Sequence, residues 1–330
     1  MSARPSSTGI VLAFAAIYVI WGTTFAGIAL VIRTVPPFLS GAVRFLLAGG
    51  LMYLWLRARE RRPFDGLNLG GTLLCGVLLT GIGNGFLIWS QTGLPSGVAA
   101  LFIASLPVSI LLLDWMVFSR RPPRALAGLG VALGLGGIVV LSLHSLSGTV
   151  RASHVIAVLT AEFAWALGTL LQRRYVGPER VVNFTCLQML AGAAFQVLMV
   201  LVDREWIGFV PSRISVQSVL ALLYLVVFGS LIAFNCYAYL VAHVAPQKIA
   251  TYALVNPVIA LALGAVLLGE QVSPAAILAT VLVLLGVGLV LFQRRAVPES
   301  AATVAAQAAG WYKAPLSSRK CRAMLRGDNA

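Results

Sequence analysis

Charge is what this sequence has least of. In 330 positions there are ten acidic residues, 24 Lys and Arg and three His. Charged residues make up only 10% of the chain, hydrophobic residues 59%, and mean hydropathy is +0.93. A soluble chain of this length needs a far more polar surface, so the bilayer is the expected solvent. Histidine and cysteine are equally scarce. His144, His154 and His243 lie near the ends of apolar runs, and Cys75, Cys186 and Cys236 lie inside them. No spacing suggests a metal site or a disulfide framework, so neither a metal nor a cofactor is expected. A His-Glu-x-x-His pair, a Gly-x-Ser-x-Gly elbow and a phosphate loop with lysine are all missing, so no catalytic motif supports the alternative of an integral-membrane enzyme. Long polar loops are missing too, so there is no extramembrane domain to make a receptor or scaffold.

What the chain has instead is apolar runs of helix length. A spanning helix needs roughly 20 predominantly apolar residues. Candidate spans are 9–32, 37–56, 68–89, 97–118, 125–143, 154–172, 184–202, 216–240, 246–268 and 274–292. The first is too long for a signal-peptide core and no small-residue cleavage site follows it, so it reads as a retained span. Residues 293–330, rich in Ala, Arg and Ser without periodicity, read as a disordered tail. Net charge is +14, which on a soluble chain would suggest nucleic acid. Here the positive residues sit in short loops, pointing to topology and anionic lipid, with no nucleic-acid partner. Of the 24 Lys and Arg, 19 fall at the N-terminus, in alternate loops and in the tail; Arg33, Arg151, Arg204 and Arg213 fall on the opposite side. The positive-inside rule then places both termini in the cytoplasm.

The runs repeat. Shifting Pro246–Val290 back by 150 lays it on Ser96–Val140, matching Pro257 with Pro107 and Gly286 with Gly136. A fixed-period repeat decides the architecture. The expected fold is an all-α integral membrane protein of ten transmembrane helices, arranged as two five-helix repeats. Because five is odd, the repeats enter the membrane inverted, a recurring build of secondary transporters. Inversion also accounts for the unlike hinges: Arg120 and Arg121 on the cytoplasmic side, Glu270 and Gln271 outside. The expected organisation is a cytoplasmic N-terminus at 1–8, a first repeat at 9–143, a periplasmic linker at 144–153, a second repeat at 154–292 and a cytoplasmic tail at 293–330.

Several residues carry the resemblance to a known family. They are Trp21-Gly22-Thr23-Thr24-Phe25 in the first span, Arg44-Phe45 in the second, the proline-bearing fourth and ninth spans, and Gly269-Glu270 before the glycine-rich last span. With the duplication, these resemble the EamA-type transporters of the drug/metabolite transporter superfamily over residues 9–292. The resemblance implies an inner-membrane carrier that exports small metabolites, amino acids or drugs. A channel-like facilitator is the alternative. Arg120 stands where a glutamate would match Glu270, and Ala166 where a glycine would match Gly22.

Polar groups inside spans are expensive and are functional candidates by default. An offset of 144 pairs Trp21 with Trp165, Tyr18 with Glu162 and Arg44 with Gln188. Helix periodicity puts Tyr18, Trp21 and Phe25 on one stripe and Glu162, Trp165 and Thr169 on its counterpart. These stripes, with Arg44 and Gln188, are expected to wall a substrate cavity. Asn84, Asn235, Tyr239, Tyr252 and Asn256 are further lining candidates, each with helix-to-helix hydrogen bonding as the alternative. Glu162, roughly 12 Å deep at 1.5 Å per residue, is the candidate for proton coupling, since burial disfavours its charged form. Pro107 and Pro257 are candidate gating kinks. Gly130, Gly134 and Gly136 suggest close helix approach inside the bundle, or a homodimer face. The expected partners are a small-molecule substrate and the lipid bilayer.

Overall fold

The computed structural model describes residues 7–119, 122, 125–146, 151–244, 249 and 251–292. Arg4, the hinge residues Arg120, Arg121 and Arg124, Lys248, the 293–330 tail and part of the 144–153 linker lie outside the described residues. Among the described residues the secondary structure is helical throughout, with no strand.

Eight stretches are long and apolar enough to cross a membrane. They contain α1 (Ser7–Val31), α2 (Pro37–Arg59), α3 (Leu69–Ser90), α4 (Ser96–Phe118), α5 (Ala125–Leu146), α6 (Ala152–Tyr175), α7 (Val181–Val202) and α8 (Val216–His243). Two shorter apolar helices follow, α9 (Tyr252–Leu268) and α10 (Pro274–Phe292). Many large apolar side chains point outward, Val266 at 80% and Leu54 at 67% exposure among them. Such a surface is tolerable only against lipid.

Local chemistry sets the ends. Pro37 opens α2 at the position where a missing N–H costs nothing. Asn68 Oδ1 accepts from Gly71 N at 2.8 Å to cap α3, and Ser215 Oγ accepts from Ser218 N at 3.1 Å to cap α8. Gly269, with φ at 68°, closes α9 in the left-handed conformation that glycine adopts without strain. Glu270 N then donates to Gly264 O at 3.0 Å.

Three helices deviate from α geometry without a local signal in their residues. The ladder widens to π turns at Val77–Gly83 in α3, at Asp114–Ser119 at the end of α4 and at Leu225–Ile232 in α8. In addition, α4 is interrupted at Ser105, two residues before Pro107, whose ring and missing N–H break the ladder. In α9 the helix runs on through Pro257.

The packing is the same when the two halves are exchanged. Helix α5 packs on α10 and α2 on α7. Helix α1 packs on α8 and α9, as α6 does on α3 and α4. Helix α2 meets the π turn of α8, and α7 meets that of α3. Most of these contacts run from one half to the other, so the halves interleave.

Glycines set the α5–α10 contact. A Cβ on Gly130 would lie 2.6 Å from Gly286 O, and a Cβ on Gly286 would lie 2.6 Å from Gly130 O and Gly134 N. Gly136 has open space around it instead. Gly286→Leu should therefore push the helices apart and destabilise the fold by about 1–3 kcal/mol. Gly136→Leu should cost far less. Thermal unfolding in detergent compares the two variants, and equal losses would contradict this packing.

Two carboxylates cap helices of the opposite half. Glu205 accepts from Phe38 N at 2.9 Å and Leu39 N at 2.7 Å, in the first turn of α2. Glu270 accepts from Ser96 N at 2.7 Å, Ser96 Oγ at 3.0 Å and Gly97 N at 3.1 Å, in the first turn of α4. A negative charge at a helix N-terminus satisfies orphan N–H groups and complements the dipole. At the other end of α2, Arg180 Nη1 donates to Glu60 Oε2 at 2.9 Å and Arg180 Nη2 to Asp65 O.

Half-burial pushes the Glu205 carboxyl above the ordinary glutamate value of 4.5; the two N–H bonds pull it down, and Asp203 pushes it up again. A raised folded-state value means that the folded chain holds this proton more readily than the unfolded one. The contribution of Glu205 is then fully present below 4.5 and is lost as pH rises through the raised value. The stability difference between wild type and Glu205→Gln should shrink from pH 4 towards neutrality. Unfolding scans across that range would contradict the burial argument if the difference grew.

Candidate functional site

Trp21 of α1 and Trp165 of α6, repeat equivalents, meet edge to face with ring centroids 5.5 Å apart. Around them α8 contributes Phe234 and Tyr237, and α9 contributes Tyr252. Trp21 lies 5.6 Å from Phe234, 5.0 Å from Tyr237 and 5.2 Å from Tyr252. All five rings are buried. Spacings of this kind are favourable for aromatic pairs, so the cluster is a closed plug to which both halves contribute.

The plug has a polar edge along α6. Glu162, Trp165, Thr169 and Gln172 recur at helical spacing, and each is buried. Thr169 Oγ1 and the Tyr237 hydroxyl are 2.5 Å apart. The Trp165 indole Nε1 is buried without a hydrogen-bond partner, as are both amide atoms of Gln172. Unpaired polar atoms in a membrane interior are costly, and they mark where a ligand or water would gain most.

Glu162 sits beside the break in α4. Its Oε1 accepts from Ser105 Oγ at 2.6 Å and Ser109 Oγ at 2.8 Å. The two serines are four residues apart, one helical turn, so both hydroxyls reach the same carboxylate oxygen. Pro107 lies between them. The kink and the buried acid thus belong to one unit, which the sequence had presented as two separate features.

On the opposite side of the plug, Tyr18, the repeat counterpart of Glu162, also reaches a proline-bearing helix. Its hydroxyl lies 2.5 Å from Thr251 Oγ1. In the amide orientation that satisfies its surroundings, Asn256 Nδ2 donates to Tyr18 O at 3.0 Å and to Tyr252 O at 3.3 Å.

Arg44 is 2% exposed and reaches α8 rather than the plug. Its Nε donates to Ser230 Oγ at 2.8 Å and its Nη2 to Gly229 O at 3.1 Å, while the guanidinium carbon lies 4.9 Å from the Phe45 ring centroid. Nη1 is buried and unpartnered. The other half has a matching tie. Gln196 Nε2 donates to Thr80 O at 2.7 Å, and Thr80 Oγ1 donates to Gln188 O at 3.0 Å. The π turns of α3 and α8 are therefore each stapled by a side chain from the second helix of the opposite half. Asn84 stays local, with Nδ2 3.4 Å from Leu79 O.

The expected lining residues thus fall into separate places. Trp21, Trp165 and Tyr252 share the plug, with Tyr18, Asn256 and Glu162 at its margins. Arg44 and Gln188 lie on the staples. Asn235 and Tyr239 line a cleft between α2, α7 and α8 instead. The sequence reading missed Phe234, Tyr237, Ser105 and Ser109. The serine pair had a signal, two hydroxyls one turn apart astride a mid-span proline; Phe234 had none beyond being aromatic.

By fold and site, then, this is a polytopic helical membrane protein whose two like halves meet at a buried aromatic centre. The EamA-like transporter family matches residues 7–143 and again residues 152–292. The chain belongs to that family. It is similar to "Uncharacterized inner membrane transporter YedA" of Escherichia coli strain K12, with 35% identity over 282 residues, covering 83% of this chain and 88% of that one. It is also similar to "Probable amino-acid metabolite efflux pump" of Salmonella typhimurium, with 28% identity over 289 residues, covering 84% and 92%. A solved crystal structure of another protein aligns with TM-score 0.61 and 21% identity over 86% of this chain and 96% of that one, a likeness of fold alone. The chain is a multi-pass transporter of the inner membrane.

Proposed function

We propose that this protein is a secondary carrier that exports small metabolites by alternating access, with coupling to protons through Glu162. In this reading ten spans form two inverted five-helix repeats, residues 9–143 and 154–292, with both termini cytoplasmic. The exchange-symmetric packing and the paired π turns support such a repeat. One observation carries the proposal: Trp21 and Trp165, equivalent residues of the two halves, close on each other at the centre of the bundle. A plug made by both halves can part towards either face as the halves rock. In this reading Pro107 and Pro257 mark the points about which α4 and α9 would bend.

The relative named as an amino-acid metabolite efflux pump makes amino acids and their derivatives the first substrates to test. A thermal-shift screen identifies the ligand, since binding to the folded state raises the melting temperature. The purified protein in proteoliposomes should then show saturable counterflow, with uptake accelerated by substrate on the far side. Uptake that neither saturates nor responds to trans substrate would make it a channel.

A further inference from the structure

Among the described residues that are buried, two side chains are of ionisable acid or base type, Arg44 and Glu162. Glu162 is bonded to Ser105 and Ser109. Arg44 has no carboxylate. All of the acidic residues except Glu299 and Asp328 are described. The ion pairs among them join Asp65 to Arg62 and Glu60 to Arg180, and Glu205 and Glu270 are taken up by the first turns of α2 and α4. The Arg44 guanidinium meets a serine hydroxyl, one backbone carbonyl and the Phe45 ring, and its Nη1 meets no acceptor. A guanidinium does not give up its proton in a protein, and a buried charge without a counter-charge is costly. The fold does not demand that cost. In the other half Gln188 stands where Arg44 does, and Thr80 stands where Ser230 does. There Thr80 Oγ1 donates to Gln188 O and Gln196 Nε2 donates to Thr80 O. That π turn is tied down with no charge at all.

We infer that Arg44 selects the substrate by charge, so that the carrier takes a small monocarboxylate on an aromatic or apolar body in preference to its neutral and cationic analogues. The inference names a substrate class for the proposed carrier and rests on that reading. A carboxylate supplies the missing counter-charge. Nη1 can donate to it while Nε and Nη2 stay on α8, and a charged donor on a charged acceptor makes a strong hydrogen bond. The aromatic body follows from the way the guanidinium is joined to the plug. Its carbon lies 4.9 Å from the Phe45 ring centroid, Phe45 lies 5.6 Å from Phe234, and Phe234 lies 5.6 Å from Trp21. Nη1 is sealed in this closed arrangement, and an anion reaches it as these rings part, the motion that alternating access requires at the centre. Attraction does not wait for contact, because a charge in a low-dielectric interior acts over many ångströms.

The test uses the full chain in lipid nanodiscs and three probes with one aromatic body: N-acetyl-L-phenylalanine, an anion; its neutral amide; and L-phenylalaninamide, a cation. Wild type should bind the anion at least tenfold tighter than the neutral amide, and the cation more weakly still. Arg44→Met, uncharged and of similar length, should bring anion and amide to about equal affinity. Arg44→Lys, which keeps a charge, should retain the preference. Charge selection is overturned if wild type does not bind the anion or binds the amide equally well, a result that needs no variant to fold. It is also overturned if Arg44→Met keeps the preference at the wild-type melting temperature, or if a folded Arg44→Lys loses it. Counterflow in proteoliposomes separates this inference from the carrier reading. Anion binding that follows Arg44 without counterflow would leave the site standing and remove the carrier. Counterflow of the amide as fast as that of the anion would leave the carrier and remove the selection.

Discussion

In proteoliposomes with an imposed pH gradient, Glu162→Gln should lose the acceleration that the gradient gives wild type, by on the order of tenfold, equivalent to about 1.4 kcal/mol. Transport without a gradient should survive. Glutamine keeps a carbonyl oxygen where Glu162 Oε1 accepts from Ser105 and Ser109. The structural contact is thus conserved, and only the ability to hold and release a proton is gone. Carboxylates buried inside spans recur in proton relays because their protonation changes what they can bind. In this protein the change would be felt at the break in α4: an ionised carboxylate draws both serine hydroxyls, whereas a protonated one offers a donor of its own. Glu162→Ala serves as the harsher control, since it takes the acceptor from the buried Ser109 hydroxyl, while Ser105 keeps Phe102 O, and it should also lower the melting temperature. Should Glu162→Gln respond to the gradient as wild type does, coupling through this residue is excluded.

Trp165→Ala should reduce counterflow at least tenfold, and Trp165→Phe should fall in between. Alanine removes an aromatic wall that touches Trp21, Phe234 and Tyr237. Phenylalanine keeps a ring but deletes the unpartnered Nε1. Truncating a buried aromatic costs about 3–5 kcal/mol in a core, so a melting scan must accompany the flux measurement. The discriminating readout is Trp165→Phe: a stable variant with weakened substrate affinity assigns the indole N–H a ligand, whereas unchanged affinity makes it a packing residue.

Much of this architecture can be read from the chain because its rules are those of lipid. Apolar runs place helices, and the 144 and 150 offsets expose the duplication. The Trp21–Trp165 pairing is the best example: two residues matched only by arithmetic stand 5.5 Å apart. Arg44 shows the limit. Its burial and its position in the second span were legible, but its partners, Ser230 and Gly229, lie in a π turn. Periodicity arguments assume 3.6 residues per turn and cannot anticipate an altered ladder. Glu205 and Glu270 were hidden for a different reason. Their partners are backbone N–H groups of Phe38, Leu39, Ser96 and Gly97, which every sequence has and none advertises. Asn235 and Tyr239 were picked out for their polarity, yet side-chain type alone does not tell which of two adjacent spaces a helix will present them to.

The staple between α2 and α8 also bears on how the protein is made. Arg44 emerges from the ribosome 186 residues before Ser230. At the usual synthesis rate of about 5–20 residues per second, it waits roughly 10–40 seconds for its acceptor. During that interval an unsatisfied guanidinium belongs to a helix that has already been delivered to the insertion machinery, where such a charge costs about 2.5–3.5 kcal/mol. The second helix thus has reason to stay at the translocon, or tilted towards the headgroups, until the eighth is made. Biosynthesis of the first half then becomes a holding pattern that the second half releases.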